Sequence, residues 1–250
     1  MDEELGCRMG KVEKMIRYAY WASGCTGIVV GVSGGIDSAV AAAFCCRAVG
    51  PDKVLGLSLP SPVSNPADEQ DAADLCRKLG MEHRIVAIGP MLDAFRTIPG
   101  FQESPYLLGN MMARIRMAVL YYHANHENRI VCGTSNRSEF MLGYCTKYGD
   151  NAADFQPIVH LYKTDIYGIA KELGIPEPII RKTPSAGLWA GQSDEGELGL
   201  SYPEIDAALR ALAKQEWKAQ TPVEERVLAL VTKSGHKRLP APNLLAECPE

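Results

Sequence analysis

Gly31-Val32-Ser33-Gly34-Gly35-Ile36-Asp37-Ser38 decides the fold of this chain. Ile28-Val29-Val30 leads into it as an apolar run, which predicts a buried strand over Ile28–Val32. Ala39 to Val49 leads out as an apolar helix. Strand, glycine turn and helix together aim backbone N–H groups and the positive end of a helix at phosphate. No Gly-Lys-Ser/Thr follows, so this is not the P-loop that grips a β,γ-phosphate pair with a lysine. It is a Ser/Gly cradle with a carboxylate, Asp37, at the start of the helix.

Apolar runs and helical patterns alternate through the first half. Further strands are predicted at Val54–Leu59, Ile85–Ile88 and Arg129–Cys132. Between the second and third, Asn65-Pro66 reads as an N-cap with proline at N1, and Asp68 and Glu69 fall in the first turn. Ala72, Leu75, Cys76 and Leu79 mark the buried face of that helix, and Gly80 its end. Strands alternating with helices imply a parallel sheet covered on both sides. Ligands bind such sheets beyond the carboxyl ends of the strands, where the glycine loop lies. A long helix is expected from about Asn110 to Glu127, with Met111, Ile115, Ala118, Val119 and Tyr122 on one apolar face. The second half is more helical. One helix runs from Thr164 to Leu173, and another opens on the capping box Thr221-Pro222-Val223-Glu224 and ends near Gly235. Pro60–Ser64 and Thr183–Ser201 read as loops, the second long enough to serve as a lid.

With 250 residues, 46% of them hydrophobic, the chain can bury a full core. A net charge of -4 argues against a nucleic-acid partner. No apolar stretch reaches the roughly 18 residues of a membrane helix, and the acidic start Met1-Asp2-Glu3-Glu4 lacks the apolar core of a secretory signal. The eight cysteines show no C-x-x-C and no zinc-like spacing. Cys45, Cys46, Cys76, Cys132 and Cys145 sit in apolar or helical segments, as buried thiols of a reducing, cytoplasmic compartment do.

Val131 to Asp154 is the second informative segment. It begins where a strand ends and brings Glu139, Lys147, Asp150 and Asp154 into a short space, read as two pairs, Glu139 with Lys147 and Asp150 with Asp154. Glu139 and Asp37 can both reach the edge of the sheet, and two acids facing phosphates meet the needs of Mg²⁺. Lys163 opens the next helix, where the dipole disfavours a cation, so a phosphate partner is the more attractive reading. Arg114 and Arg116 flank the apolar face of the long helix, and Arg114 is a candidate for a second substrate's phosphate.

Together these residues resemble the NAD synthetase family. The resemblance rests on S-G-G-I-D-S, the G-T-x-N-x-x-E segment with T-K-Y-G-D-x-x-x-D, Leu161-Tyr162-Lys163-Thr164, Lys182-Thr183-Pro184-Ser185-Ala186-Gly187-Leu188-Trp189, Gln192-Ser193-Asp194-Glu195 and His236-Lys237-Arg238. S-G-G-x-D-S alone is shared with GMP synthetase, asparagine synthetase and several tRNA-modifying enzymes. The resemblance implies an α/β fold of ATP-pyrophosphatase type, a Rossmann-like parallel sheet between helices with a helical C-terminal part. It implies one NAD synthetase domain over residues 1–250 and no glutaminase domain, since 27 residues precede the first strand. It also implies a homodimer with the deamido-NAD site at the subunit interface, ammonia as nitrogen source, and a partner glutaminase as an optional supplier.

The same resemblance carries roles. Gly31 to Ser38, Thr134, Lys163 and Ser185 would contact ATP, and Asp37 and Glu139 would hold Mg²⁺. Arg114, Lys147, Asp154, His236 and Lys237 would contact deamido-NAD. Asp37, Lys163 and Asp150 would be catalytic, Asp150 close to the reacting centre. The competing readings are another amidating or thiolating ATP pyrophosphatase, such as a GMP synthetase core, and a nucleotide sensor without catalysis.

Overall fold

The computed structural model describes residues 3–189 and 191–241. Four strands, β1 (Gly27–Gly31), β2 (Val54–Ser58), β3 (Glu82–Ile85) and β4 (Arg129–Cys132), form a parallel sheet in the order β3-β2-β1-β4. The helices are α1 (Glu3–Ser23), α2 (Ile36–Val49), α3 (Pro66–Leu79), α4 (Gly89–Phe95), α5 (Pro105–His126), α6 (Arg137–Leu142), α7 (Lys163–Glu172), α8 (Glu177–Arg181), α9 (Asp194–Leu198), α10 (Tyr202–Lys214) and α11 (Pro222–Lys233). Central β1 sets Val29 against Leu55 of β2 and Val131 of β4.

Side chains of β1 alternate between two cores, as the period of two demands. Ile28 and Val30 pack with Ile16, Phe44 and Ile166 from α1, α2 and α7. Val29 packs on the other face with Leu55, Leu92, Ile115 and Val131, beneath α4 and α5. A third cluster, with Tyr202, Ile205, Leu209 and Val227, joins α6, α10 and α11 at the C-terminal end. The chain runs outward from β1 through β2 to β3, then returns to lay β4 on the other side of β1. That reversal opens a crevice beyond the carboxyl ends of β1 and β4, where an open α/β sheet binds ligand.

Most expected elements are present, and Arg129–Cys132 has the expected bounds. The third strand lies at Glu82–Ile85 rather than Ile85–Ile88. It is an edge strand, so polar residues suit it, while the apolar run beyond continues the pairing irregularly through Val86 N–H to Ser58 and Ile88 N–H to Pro60. The buried stripe of α5 is Gly109, Met112, Ile115 and Val119, and Ala118 and Tyr122 are exposed. The capping box at Thr221 is half formed: Thr221 accepts from Glu224 N–H, but the Glu224 carboxylate turns to Gln220 N–H. The expected lid contains a short helix, α9, and Ala190 within it lies outside the described residues. Among the described residues no helix is long and apolar enough to cross a membrane.

Candidate active site

The loop after β1 is held by its own side chains. Ser33 N–H donates to Ser38 Oγ at 3.2 Å, Ser38 Oγ donates to Gly35 O at 2.9 Å, and Gly35 N–H donates to Ser33 Oγ at 3.3 Å. Gly34 has φ +78°, and a Cβ there would overlap the Asp68 carbonyl. Only glycine meets both demands. Apart from Gly34, the whole run from Gly31 to Ser38 lines a cavity of about 950 Å³ over the carboxyl ends of the strands.

Lys163 stands at the centre of this cavity wall. Its ammonium is 2.5 Å from Asp37 Oδ2 and 3.2 Å from Glu139 Oε1, and the side chain is 3% exposed. Asn136 caps α6 and donates from Nδ2 to Asp37 Oδ1 at 2.9 Å, which ties the two loops together. Lys163 N–H donates to Ser138 Oγ at 2.9 Å and Thr164 N–H to Asp206 Oδ2 at 2.9 Å. Asp206 of α10 thus supplies an anion to the start of α7, as the helix dipole favours. The Tyr202 ring lies beside the Lys163 ammonium, 5.0 Å to its centroid, and its hydroxyl donates to Asp194 Oδ2 at 2.9 Å. Burial disfavours the charge on Lys163, but Asp37 and Glu139 outweigh it and hold the lysine charged well above its ordinary range. Burial pushes the Glu139 carboxyl up, and Lys163 offsets only part of that.

Asp150 lines the same cavity and is exposed to it. Its Oδ1 accepts from Thr146 N–H at 2.7 Å, and desolvation raises its carboxyl above the usual value. Thr134, Ser185 and Lys237 line the same cavity, with Lys237 Nζ donating to Gly143 O at 2.8 Å and Cys145 O at 2.6 Å. Four expected ligand residues are not in its walls: Arg114, Lys147, Asp154 and His236. Arg114 sits on the outer face of α5 and donates to Lys147 O at 3.3 Å, and the Lys147 ammonium covers the Tyr148 ring. Asp154 accepts from Val131 N–H at 2.7 Å and from the Tyr121 hydroxyl at 3.2 Å. The expected pairs Glu139 with Lys147 and Asp150 with Asp154 therefore do not form, since Glu139 turns inward to Lys163 and Asp154 binds the edge of β4.

Sequence reading missed two cavity residues. Lys182 donates to Asp68 at 2.7 Å, Asp71 at 2.6 Å and Gly34 O at 3.0 Å, fastening the following segment to α3 and the glycine loop. Its place beside Thr183-Pro184-Ser185 was the only signal for it. Asp194 is 3% exposed, and its Oδ1 has no partner among the described residues. Only its position in Gln192-Ser193-Asp194-Glu195 pointed to it.

The family model described as NAD synthase matches residues 9–241. The chain belongs to the NAD synthase family. The NH3-dependent NAD+ synthetase of Methanoregula boonei is 74% identical over 246 residues, covering 98% of this chain and 99% of that one. Among solved structures, the NMN synthetase of Francisella tularensis superposes with a TM-score of 0.88 at 38% identity, covering 96% of this chain and 98% of that chain. An NH3-dependent NAD synthetase from Campylobacter jejuni, in complex with the nitrate ion, gives a TM-score of 0.83 at 35% identity, covering 98% and 99%. The sheet with helices on both faces is thus the architecture of this NAD synthase family, as the sequence implied.

Proposed function

We propose that this chain amidates deamido-NAD with ammonia at the expense of ATP, giving NAD, AMP and pyrophosphate. The observation that carries the reading is the Lys163 ammonium clamped between Asp37 and Glu139 beside the Ser/Gly loop, in a chain so similar to an NH3-dependent NAD+ synthetase over its whole length. A nicotinate carboxylate does not react with ammonia at neutral pH. Adenylation turns one of its oxygens into an AMP leaving group. In the first step the carboxylate attacks the α-phosphorus and pyrophosphate leaves. In the second, ammonia attacks the acyl-adenylate and AMP leaves.

The chain's residues divide these tasks. The loop's own hydrogen bonds hold Ser33, Gly35 and Ser38 in shape. The departing pyrophosphate is received by the first N–H groups of α2, from Ile36 to Ser38, which have no partner within the helix. Lys163 adds charge, and Thr134 and Ser185 contact ATP from the other walls. Asp150 binds ammonium and takes its proton, a task suited to a carboxyl raised by desolvation. The segment after Lys182 covers the cavity: Leu188 packs on Gly109 of α5, and Leu188 N–H donates to Gln192 Oε1 at 2.7 Å. It keeps water from the adenylate.

Asp37 and Glu139 fit Mg²⁺. Each gives one oxygen to Lys163 and the other to Asn136, from Nδ2 for Asp37 and from N–H for Glu139, and each oxygen has a second lone pair for a cation. Mg²⁺ is usually held by one or two carboxylates plus substrate phosphates. When bound, it supplies positive charge to the leaving pyrophosphate.

Two copies pair across α5 in this reading. Leu107, Arg114, Ala118 and Tyr122 form an outward stripe along it, with Leu107 46% and Tyr122 65% exposed. Arg114, Lys147, Asp154 and His236 then meet deamido-NAD bound between subunits, and Lys237 meets it from the cavity side. The chain acts as one NAD synthetase domain in a cytoplasmic setting and takes ammonia directly, free or from a separate glutaminase. A mononucleotide acceptor would give NMN by the same chemistry, and the two acceptors separate the readings. With ATP, Mg²⁺ and ammonium supplied, deamido-NAD should be turned over with a kcat/KM at least about tenfold above that of nicotinate mononucleotide, a gap of about 1.4 kcal/mol. The reverse preference would overturn the choice of acceptor.

A further inference from the structure

Four cations line the cavity among the described residues: Arg116, Lys163, Lys182 and Lys237. Their charges are not equally available. Lys163 is paired with Asp37 and Glu139, and Lys182 with Asp68 and Asp71, so neither ammonium is free before substrate enters. Lys237 gives its ammonium to two backbone carbonyls. Arg116 differs from all three. Its Nε donates to Leu59 O at 3.0 Å, and its two Nη groups have no hydrogen bond or ion pair with any described residue. The Leu59 contact anchors the guanidinium at the end of β2 and leaves the planar fork open, the arrangement that grips a phosphoryl group in two places.

Position narrows the role. The β- and γ-phosphates belong to the Ser33–Ser38 loop, and the acyl centre to Asp150. Arg116 is anchored through Leu59 just past the end of β2, outside the Ser33–Ser38 loop, and shares the cavity lining with Asp150. Between these ends an anionic carboxylate must approach an anionic α-phosphoryl group. The repulsion there calls for a cation whose charge is not already neutralised.

We propose that Arg116 binds the α-phosphoryl group of ATP and then the phosphate of the departing AMP. This rests on the adenylating reaction proposed above and names a residue that neither the motifs nor the family resemblance assigned. The test is calorimetric titration of wild type, Arg116→Ala and Arg116→Lys with AMP and, separately, with Mg²⁺-pyrophosphate. Arg116→Ala should weaken AMP at least about tenfold and shift pyrophosphate less than twofold. Arg116→Lys, which keeps a cation and a donor for Leu59 O but loses the fork, should recover part of the AMP affinity. Unchanged AMP affinity in Arg116→Ala, or an equal loss for both ligands, overturns the assignment. If Arg116→Ala does not fold, Arg116→Lys decides alone: AMP weakened selectively supports the role, and no selective loss overturns it. Failure of the reaction itself reads differently, as wild-type enzyme that releases ADP instead of AMP.

Discussion

The ammonium of Lys163 lies 2.5 Å from Asp37 Oδ2, although 126 residues separate them in sequence. This contact joins the start of α7 to the start of α2 across the crevice. With Glu139 it makes a three-residue unit in which the lysine's charge is already paired before substrate enters. Lys163→Met leaves two facing carboxylates without their shared partner. It should lower kcat by about 10²–10³-fold, the range for losing a preorganised charge, and reduce stability by about 3 kcal/mol, as breaking a buried pair does. Steady-state assay and urea denaturation at neutral pH measure the two effects. Wild-type kcat in this variant would remove Lys163 from the chemistry.

Gly34 bears on the same loop from behind. Gly34→Ala forces a side chain into φ +78° and against the Asp68 carbonyl. The left-handed backbone costs about 1 kcal/mol and the overlap about 1–3 kcal/mol. The melting temperature should fall, and KM for ATP should rise more than KM for deamido-NAD. Equal rises would show that the loop does not hold ATP.

Lys182 is the fastening of the cavity cover. Its two ion pairs are partly exposed, each worth up to about 1 kcal/mol. Lys182→Ala should therefore raise KM for ATP by roughly tenfold at most and leave the global melting temperature nearly unchanged. Amide exchange should speed up in residues 183–189. AMP formed per NAD should increase, because water then reaches the adenylate. A wild-type AMP to NAD ratio with faster exchange would separate mobility from water exclusion and count against the cover.

Asp150 gives a pH signature. Its folded-state carboxyl lies above the ordinary value of 3.8, chiefly through desolvation. From that value up to the raised one, the native state keeps a proton that the unfolded chain has lost. Wild-type stability therefore falls as pH rises through this window and levels off above it. Asp150→Asn lacks this dependence, so its stability relative to wild type should rise with pH over the same window. Denaturation curves collected from pH 4 upward at about half-unit steps test the sign. A flat difference would place Asp150 in a solvated environment.

The parts of the molecule written locally were legible in the sequence. The glycine loop is contiguous, and the cap of α3 at Asn65-Pro66 forms as its residues imply, with Asn65 accepting from Ala67 N–H at 3.1 Å. Asp37, Glu139 and Lys163 could each be named, but not their mutual contact, because nothing local tells Glu139 to choose Lys163 over Lys147. Lys182 and Arg116 take their meaning from what tertiary structure sets beside them, Asp68 and Asp71 for one and the end of β2 for the other. The stripe of α5 was misplaced for a physical reason. Its outward face carries Ala118 and Tyr122, and apolar residues on an exposed helix face read in sequence like those facing a core. β3 escaped because an edge strand does not need apolar residues.

In the proposed reaction ATP is split between its α- and β-phosphates to activate the carboxylate of deamido-NAD. Phosphorus NMR of one reaction, containing the protein, ATP, Mg²⁺, deamido-NAD and ammonium, tests it most directly. AMP, pyrophosphate and NAD should appear in equal amounts, with none formed when deamido-NAD is left out. ADP and inorganic phosphate as the products, or ATP turnover that ignores deamido-NAD, would contradict the account.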